Sequence, residues 1–531
     1  MRSDPIYLHG GRIHIHPDSS QVVDALLIQE GRVRAFGATH EVEALLSPET
    51  GQINLGGRTV IPGLIDAHIH LEKYARRLKM VDCEQPAVAD CLERLSLQAV
   101  QTPQDTWILG HGWNQYAWGG YGKLEELDAA LPNHPAYLTA KSLHAAWVNT
   151  RALQLAGIDG STPDPNDGVI GRDANGRATG ILFEAAMRLV ADRIPVLTSE
   201  QLADHLVAAQ KKLAQAGLTG VHEFDGSACL RALQILRERG ELSLRILKNI
   251  PVAQLAAARD LGLRSGFGDA WIRIGNIKVF ADGALGPRTA AMLQPYEGEP
   301  KNRGMLLLDA EALTELFEEA ARSGFGMTVH AIGDRANHEV LNAYGLLRKF
   351  EKEHALPPRR HRIEHLQILH PDDRARPSEL NLVASMQPIH ATSDMGMADQ
   401  YWGDRIAAAY GWRTQLQLGA RLAFGSDAPV EDPDPLLGIH AAVTRQREDG
   451  SPGIDGWVPD QRISIAEALA AYTTGPAYAA GTESWQGRLT AGFEADLVVL
   501  NRDPFQTDRD QLLALKVHGT MVAGQWSYRA F

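Results

Sequence analysis

Cysteine is scarce: Cys83, Cys91 and Cys229 are the only three in 531 residues, and no two have C-x-x-C spacing. An odd, sparse set excludes a disulfide framework and suits a reducing compartment. Long apolar runs are missing too, and the opening "MRSDPIYLHGGRIHIHPDSS" has no apolar leader segment. The expectation is a soluble, cytoplasmic protein with no membrane partner. Positive charge is outweighed, with 52 Lys and Arg against 65 Asp and Glu for a net charge of -13. Nucleic-acid binding needs clustered positive charge, so that class of partner is set aside. Low-complexity blocks are also lacking, because 50 Gly and 27 Pro are spread through the chain, and disorder is excluded with them.

What is present is a chain long enough for one large domain and a smaller companion, or for two to three domains. Eight apolar runs rich in β-branched residues recur, at 59–70, 135–147, 218–226, 271–283, 326–334, 361–368, 381–388 and 421–430. Stretches of helical periodicity lie between them, such as "EALTELFEEAARSG" and "SEQLADHLVAAQKKLAQAG". Strands alternating with helices predict a parallel sheet, and eight is the count of a closed (β/α)8 barrel. The predicted fold class is therefore α/β, with a TIM-like barrel over 60–484. A crossover does not need the residues at about 75–215, which are read as a large insertion on the catalytic side. Residues 1–59 and 485–531 hold short alternating strands broken by glycine pairs and predict a small composite β-sandwich domain from both chain ends.

Polar residues gather where the proposed strands end, which is where barrel enzymes place their chemistry. His68 and His70 in "GLIDAHIHLE" are two apart, so on a strand both imidazoles point the same way and can share one cation. His330 in "TVHAIGD", His365 in "RIEHLQ" and Asp427 in "FGSDAPV" close later strands. Four histidines and an aspartate are ligand types suited to zinc. Asp427 could also move a proton between water and a leaving nitrogen. Lys278 in "IGNIKVFADG" sits among apolar residues, where a bare ammonium is costly. Two explanations compete: carbamylation to a metal-bridging carboxylate, and a salt bridge to Asp282. The tripeptide His14-Ile15-His16 has the same spacing as His68-Ile69-His70, but in a terminal hairpin it reads as a solvent-facing strand pair.

Taken in order, "GLIDAHIHLE", "GNIKVFADGALGPRTA", "TVHAIGDRAN", "RIEHLQ", "FGSDAPV", "YTTGPAYAAG" and "GRLTAGFEADLVVL" resemble the metal-dependent amidohydrolase superfamily. The resemblance is greatest to amidohydrolase family 3, the long, insertion-bearing group with the YtcJ-like and N-substituted formamide deformylase-like proteins. It implies one or two divalent metals and hydrolysis of an amide-like, non-peptide C–N bond of a small molecule by a metal-activated hydroxide. It also implies that His68 and His70 hold the more buried metal, a carbamate on Lys278 bridges, and His330 and His365 hold the second metal. Asp427 would bind metal and shuttle the proton.

Around that centre the group's pattern also matches "GHGWNQYAW" and "KSLHAAWVN". His144 could bond a substrate carbonyl or oxyanion, or simply pack. Trp113, Tyr116 and Trp118 could wall an apolar pocket or form the insertion's own core. Arg288 could meet a substrate carboxylate or pair with an acid, and Asp282 joins the substrate-binding candidates. Glu184 in "TGILFEAA" is a rival carboxylate. Other functions stay open: a mononuclear deaminase or cyclic-imide hydrolase, a lactonase or esterase, and a non-catalytic binding protein on the same fold. A homo-oligomer is compatible with the sequence.

Overall fold

A computed structural model describes residues 4–531 except Ser19, Ser142, Leu143 and Asp167. The chain divides into two compact units, residues 1–74 with 206–531, and 75–205.

In the first unit eight parallel strands lie side by side in chain order. They are β1 (Leu64–Ile69), β2 (Leu218–Glu223), β3 (Arg245–Pro251), β4 (Ile272–Phe280), β5 (Met327–Ala331), β6 (Arg362–His365), β7 (Val383–Met386) and β8 (Arg421–Phe424). Most are buried along their whole length, as in "LIDAHI" and "MTVHA", which is how strands of a parallel sheet covered on both faces read. The helix Ala310–Arg322 buries Leu313, Phe317, Ala320 and Ala321, at the spacing of one helical face, and packs against the helix Asp334–Glu353. The ring closes where β8 returns to β1. The Asp427 N–H donates to His68 O at 2.7 Å and the His70 N–H to Ala428 O at 2.9 Å. Gly425 permits that approach, since a Cβ there would lie 2.4 Å from the His68 nitrogen. The result is a nearly closed TIM-like barrel.

Seven of the eight expected runs supply these strands, and one does not. Residues 135–147 instead form the strands Ala136–Ala140 and Ala145–Val148, paired antiparallel in the other unit. The third barrel strand is "RILKNIP", where Lys248 and Asn249 interrupt the apolar pattern. Both are buried, and the Lys248 ammonium is 2.6 Å from Glu223, so the interruption is paired inside the protein. The run at 59–70 is two strands: Thr59–Pro62 belongs to the terminal sheet, and β1 begins after Gly63.

Both chain ends share one eight-stranded sheet, in which Thr59–Pro62 pairs antiparallel with Leu497–Leu500. Arg245, at the start of β3, ties barrel and sheet together. It reaches Asp496 through two nitrogens at 2.6 and 2.9 Å and Glu494 at 2.7 Å. His14 corrects an expectation: it is buried, with Nε2 3.2 Å from Asp503 and its ring against Phe505. It is a core histidine.

The second unit holds a six-stranded sheet with a core that includes Trp113, Trp147, Cys91, Leu95 and Leu138. Among the described residues no helix is long and apolar enough to cross a membrane.

Candidate metal centre

Strand ends β1, β6 and β8 bring His68, His70, His365 and Asp427 together. Two three-residue groups have ligand atoms all within 4.8 Å of one another: His68, His70 and Asp427, and His365, His390 and Asp427. Asp427 is common to both. Its Oδ1 is 3.5 Å from Nε2 of His68 and 3.5 Å from Nε2 of His70, and its Oδ2 is 3.4 Å from Nε2 of His390.

Three of these rings are anchored through their other nitrogen. Nδ1 of His68 donates to Glu364 at 2.6 Å, Nδ1 of His70 to Asp225 at 2.9 Å, and Nδ1 of His365 to Gln387 at 2.8 Å. Since each acceptor is an oxygen, the ring proton belongs on Nδ1 and the Nε2 lone pair is left free, as a metal ligand requires. Asp225 is fixed in turn by the Glu72 and Lys73 N–H groups, and Glu364 by Thr328 and Arg362. Asp66 holds β1 and β8 in register by accepting from the His68 N–H, the Ser426 N–H and the Ser426 hydroxyl.

The electrostatics agree. Burial, helped by the Lys278 charge, pushes His68 down to about 4 and His330 down to about 3, so both rings are neutral at pH 7. Burial opposes ionisation of Asp427, but His390, His68 and His365 outweigh it and hold the carboxyl well below its ordinary range. His390 is driven the other way: burial disfavours its charge, yet Asp427 and Glu431 raise it to about 10. Lys278 is pushed down to about 8 by burial, against the pull of Glu364 and Asp427. Among the described residues its buried Nζ has no hydrogen-bond partner, and it lies over the rings of Phe224 and Phe280 at 4.9 and 4.8 Å.

These residues fit a divalent cation. The donor set is imidazole and carboxylate, and among the described residues the buried Nε2 of His68 and Nζ of Lys278 have no hydrogen-bond partner. The 3.4–3.5 Å separations exceed an ordinary hydrogen bond of about 2.7–3.2 Å. They match the roughly 3.4 Å between two ligands of a tetrahedral ion with bonds of about 2.1 Å.

Other expected residues sit elsewhere. Asp282 does not pair with Lys278; its oxygens accept the N–H groups of Ala291, Ile332 and Gly333 at 2.9, 3.0 and 2.8 Å and pin two loops. His330 donates from Nε2 to Gly283 O at 2.9 Å, with its ring beside His365. Arg288 is 2.5 Å from Glu299. Within the unit 75–205, His144 bonds Glu184 at 2.9 Å, both exposed. Trp113 is in that unit's core, Trp118 stacks on it, and Tyr116 is exposed.

The sequence reading missed His390, which stands in the first turn of the helix Pro388–Trp402 that follows β7, not at a strand end. It also missed the anchoring residues Glu364, Asp225 and Gln387, which lie inside or beside the quoted motifs.

Residues 52–528 match the amidohydrolase family. The chain is 33% identical over 531 residues to the putative amidohydrolase YtcJ of Bacillus subtilis, covering 98% of each protein. It is 29% identical over 537 residues to N-substituted formamide deformylase of Arthrobacter pascens, covering 95% of this chain and 94% of that protein. A crystal structure of an uncharacterized metal-dependent hydrolase from Pyrococcus horikoshii shares 28% identity and superposes with a TM-score of 0.80, over 95% of this chain and 99% of that one.

Proposed function

Because this chain belongs to the amidohydrolase family and is thereby a hydrolase, we propose that it uses a divalent cation, zinc by ligand type, to cleave a non-peptide, amide-like C–N bond of a small molecule. The observation that carries this reading is the convergence of the free Nε2 atoms of His68 and His70 on one oxygen of Asp427 at the barrel mouth. These three would hold the cation. Lys278, buried and unpartnered, would add a carboxylate as a carbamate, and His365 would serve a second cation. A divalent cation in such a site supplies Lewis acidity, polarising an amide oxygen and lowering the pKa of water.

The chain's own groups supply the rest. Asp427 is held ionised, so it can take the proton that water gives up as it attacks the amide carbon. It can then pass that proton to the departing nitrogen, which leaves as a neutral amine when the C–N bond breaks. His68 and His365 do not compete for that proton, because burial keeps these two imidazoles from taking on charge. Glu364, Asp225 and Gln387 fix the ring orientations, so little reorganisation is needed when substrate binds. The name of the formamide deformylase relative favours carbon–nitrogen over ester cleavage.

The test is amine release from a panel of N-formyl, N-acyl and cyclic amides, beside lactones and esters. At least one amide should be hydrolysed, with activity lost on chelation and regained with zinc. A metal-loaded protein that turns over no amide would overturn the proposal, and turnover of esters alone would move the bond to C–O.

A further inference from the structure

The chain of contacts that fixes His70 does not end at Asp225. We propose that the buried pair Glu223 and Lys248 clamps the backbone of Asp225, and that these two residues thereby position the His70 imidazole for its cation. Both act through Asp225 and are positioning residues. The inference rests on the metal-hydrolase reading above and deepens it.

Four observations carry it. First, Asp225 lies two residues beyond the end of β2, outside the strand ladder. The pair serves its backbone instead: Glu223 Oε1 accepts the Asp225 N–H at 2.5 Å, and the Lys248 ammonium donates to the Asp225 carbonyl. Second, Glu223 and Lys248 are register partners on β2 and β3. Lys248 Nζ lies 2.6 Å from Glu223 Oε2 and 2.9 Å from the Asn249 carbonyl, so the clamp is held from two barrel strands. Third, the clamped segment leads directly to the candidate ligands. Asp225 Oδ1 accepts from His70 Nδ1 at 2.9 Å. Phe224, between Glu223 and Asp225, stacks on the His68 ring with centroids 4.0 Å apart and lies 4.9 Å from Lys278 Nζ. Fourth, the pair is costly to bury. It interrupts the apolar pattern of β3, and burial drives the Glu223 carboxyl upward against the pull of Lys248.

The competing account makes the pair a piece of barrel core that acts on stability alone. Buried ion pairs contribute little there, since exchanging both members for neutral side chains is often neutral or stabilising. The Glu72 and Lys73 N–H groups hold only Oδ2 of Asp225, whereas the pair holds the backbone from which that carboxylate springs.

Three measurements separate the two accounts: zinc competition against a chelator, urea unfolding of the apo-protein, and 15N NMR of the His70 ring, identified by the signals lost in His70→Asn. Lys248→Met should bind its first zinc about 10–100-fold more weakly. The apo His70 ring, one Nδ1–H tautomer in the wild type, should become a mixture of tautomers. Arg245→Met breaks a buried ion pair at the start of the same strand. It should also lose stability, yet keep zinc affinity within about threefold and keep the single tautomer. Should Lys248→Met not fold, the double variant Lys248→Met with Glu223→Gln leaves no charge in the pair and still lacks the donor to the Asp225 carbonyl. It should show the same weaker zinc binding and mixed tautomers. A folded Lys248 variant, single or double, with zinc affinity within about threefold of wild type or with the single tautomer intact would overturn the inference. So would an equal loss of affinity in Arg245→Met. A wild type that takes no zinc would sink the metal-hydrolase reading itself, and the tautomer of the apo-protein would still decide the clamp.

Discussion

Replacing Glu364 by Gln keeps the shape of the side chain and removes its charge. The carboxylate is fully buried and used on both oxygens. Oε2 accepts from His68 Nδ1 at 2.6 Å and from Arg362 at 3.2 Å, and Oε1 accepts from the Thr328 hydroxyl at 3.0 Å and lies 2.9 Å from Arg362 Nε. A Gln amide can keep its oxygen toward His68 only by turning its NH2 toward Arg362. The buried guanidinium then keeps neutral partners alone, at His222, Ala67 O and Ser385. Leaving one member of a buried pair uncompensated costs about 3–5 kcal/mol, and the three remaining acceptors put this case near about 3 kcal/mol. His68 meanwhile loses its anionic partner, which typically weakens metal binding by about 10–100-fold, or about 1.4–2.7 kcal/mol. Urea unfolding of the apo-protein measures the first effect, and zinc competition against a chelator measures the second. The reasoning is refuted if zinc affinity changes less than about threefold in a variant whose stability has fallen, because Glu364 would then hold Arg362 without positioning His68.

Two further perturbations test the frame. Arg245→Met strands Asp496 and Glu494 without their buried guanidinium and should lower unfolding free energy by about 3–5 kcal/mol; an unchanged urea midpoint would contradict the clamp between barrel and terminal sheet. Asp434 caps the helix Pro435–Thr444 by accepting from the Leu436 N–H, and burial raises its pKa to about 6. The folded state then binds the extra proton between the unfolded value near 4 and about 6, so this residue makes stability fall as pH rises through that window. Asp434→Asn keeps a capping oxygen. It should match wild type near pH 4 and exceed it by about 1–3 kcal/mol above pH 6, as urea unfolding at both pH values would show; equal stability at pH 7 would falsify the shift.

Much of the barrel was legible because strands covered on both faces carry recurrent apolar, β-branched residues, and seven of the eight expected runs hold a barrel strand. "RILKNIP" escaped because its polar residues are paired with partners distant in sequence, Lys248 with Glu223, a compensation that no local pattern reveals. The strands Ala136–Ala140 and Ala145–Val148 misled for the converse reason: a largely buried strand gives a similar apolar run whether its neighbour is parallel or antiparallel. The candidate site was legible where its residues stand at or just after strand ends, as with His68, His70, His365 and Asp427. His390 stands one turn into a helix, and its nearness to Asp427 depends on how β7 and β8 end. Burial of His14 was equally out of reach, because its partner Asp503 lies at the far end of the chain. Asp282 and Arg288 have the residue types of a binding site, yet Asp282 is occupied by three backbone amides and Arg288 by Glu299.

The central claim is that the barrel mouth of this amidohydrolase-family chain is a metal centre built on His68, His70 and Asp427. Anomalous diffraction at the zinc edge from crystals of the zinc-loaded, substrate-active protein tests it most directly. A peak within about 2.0–2.2 Å of Nε2 of His68, Nε2 of His70 and an oxygen of Asp427 is the predicted result. Zinc bound only elsewhere, with those three side chains unliganded in an active enzyme, would contradict it.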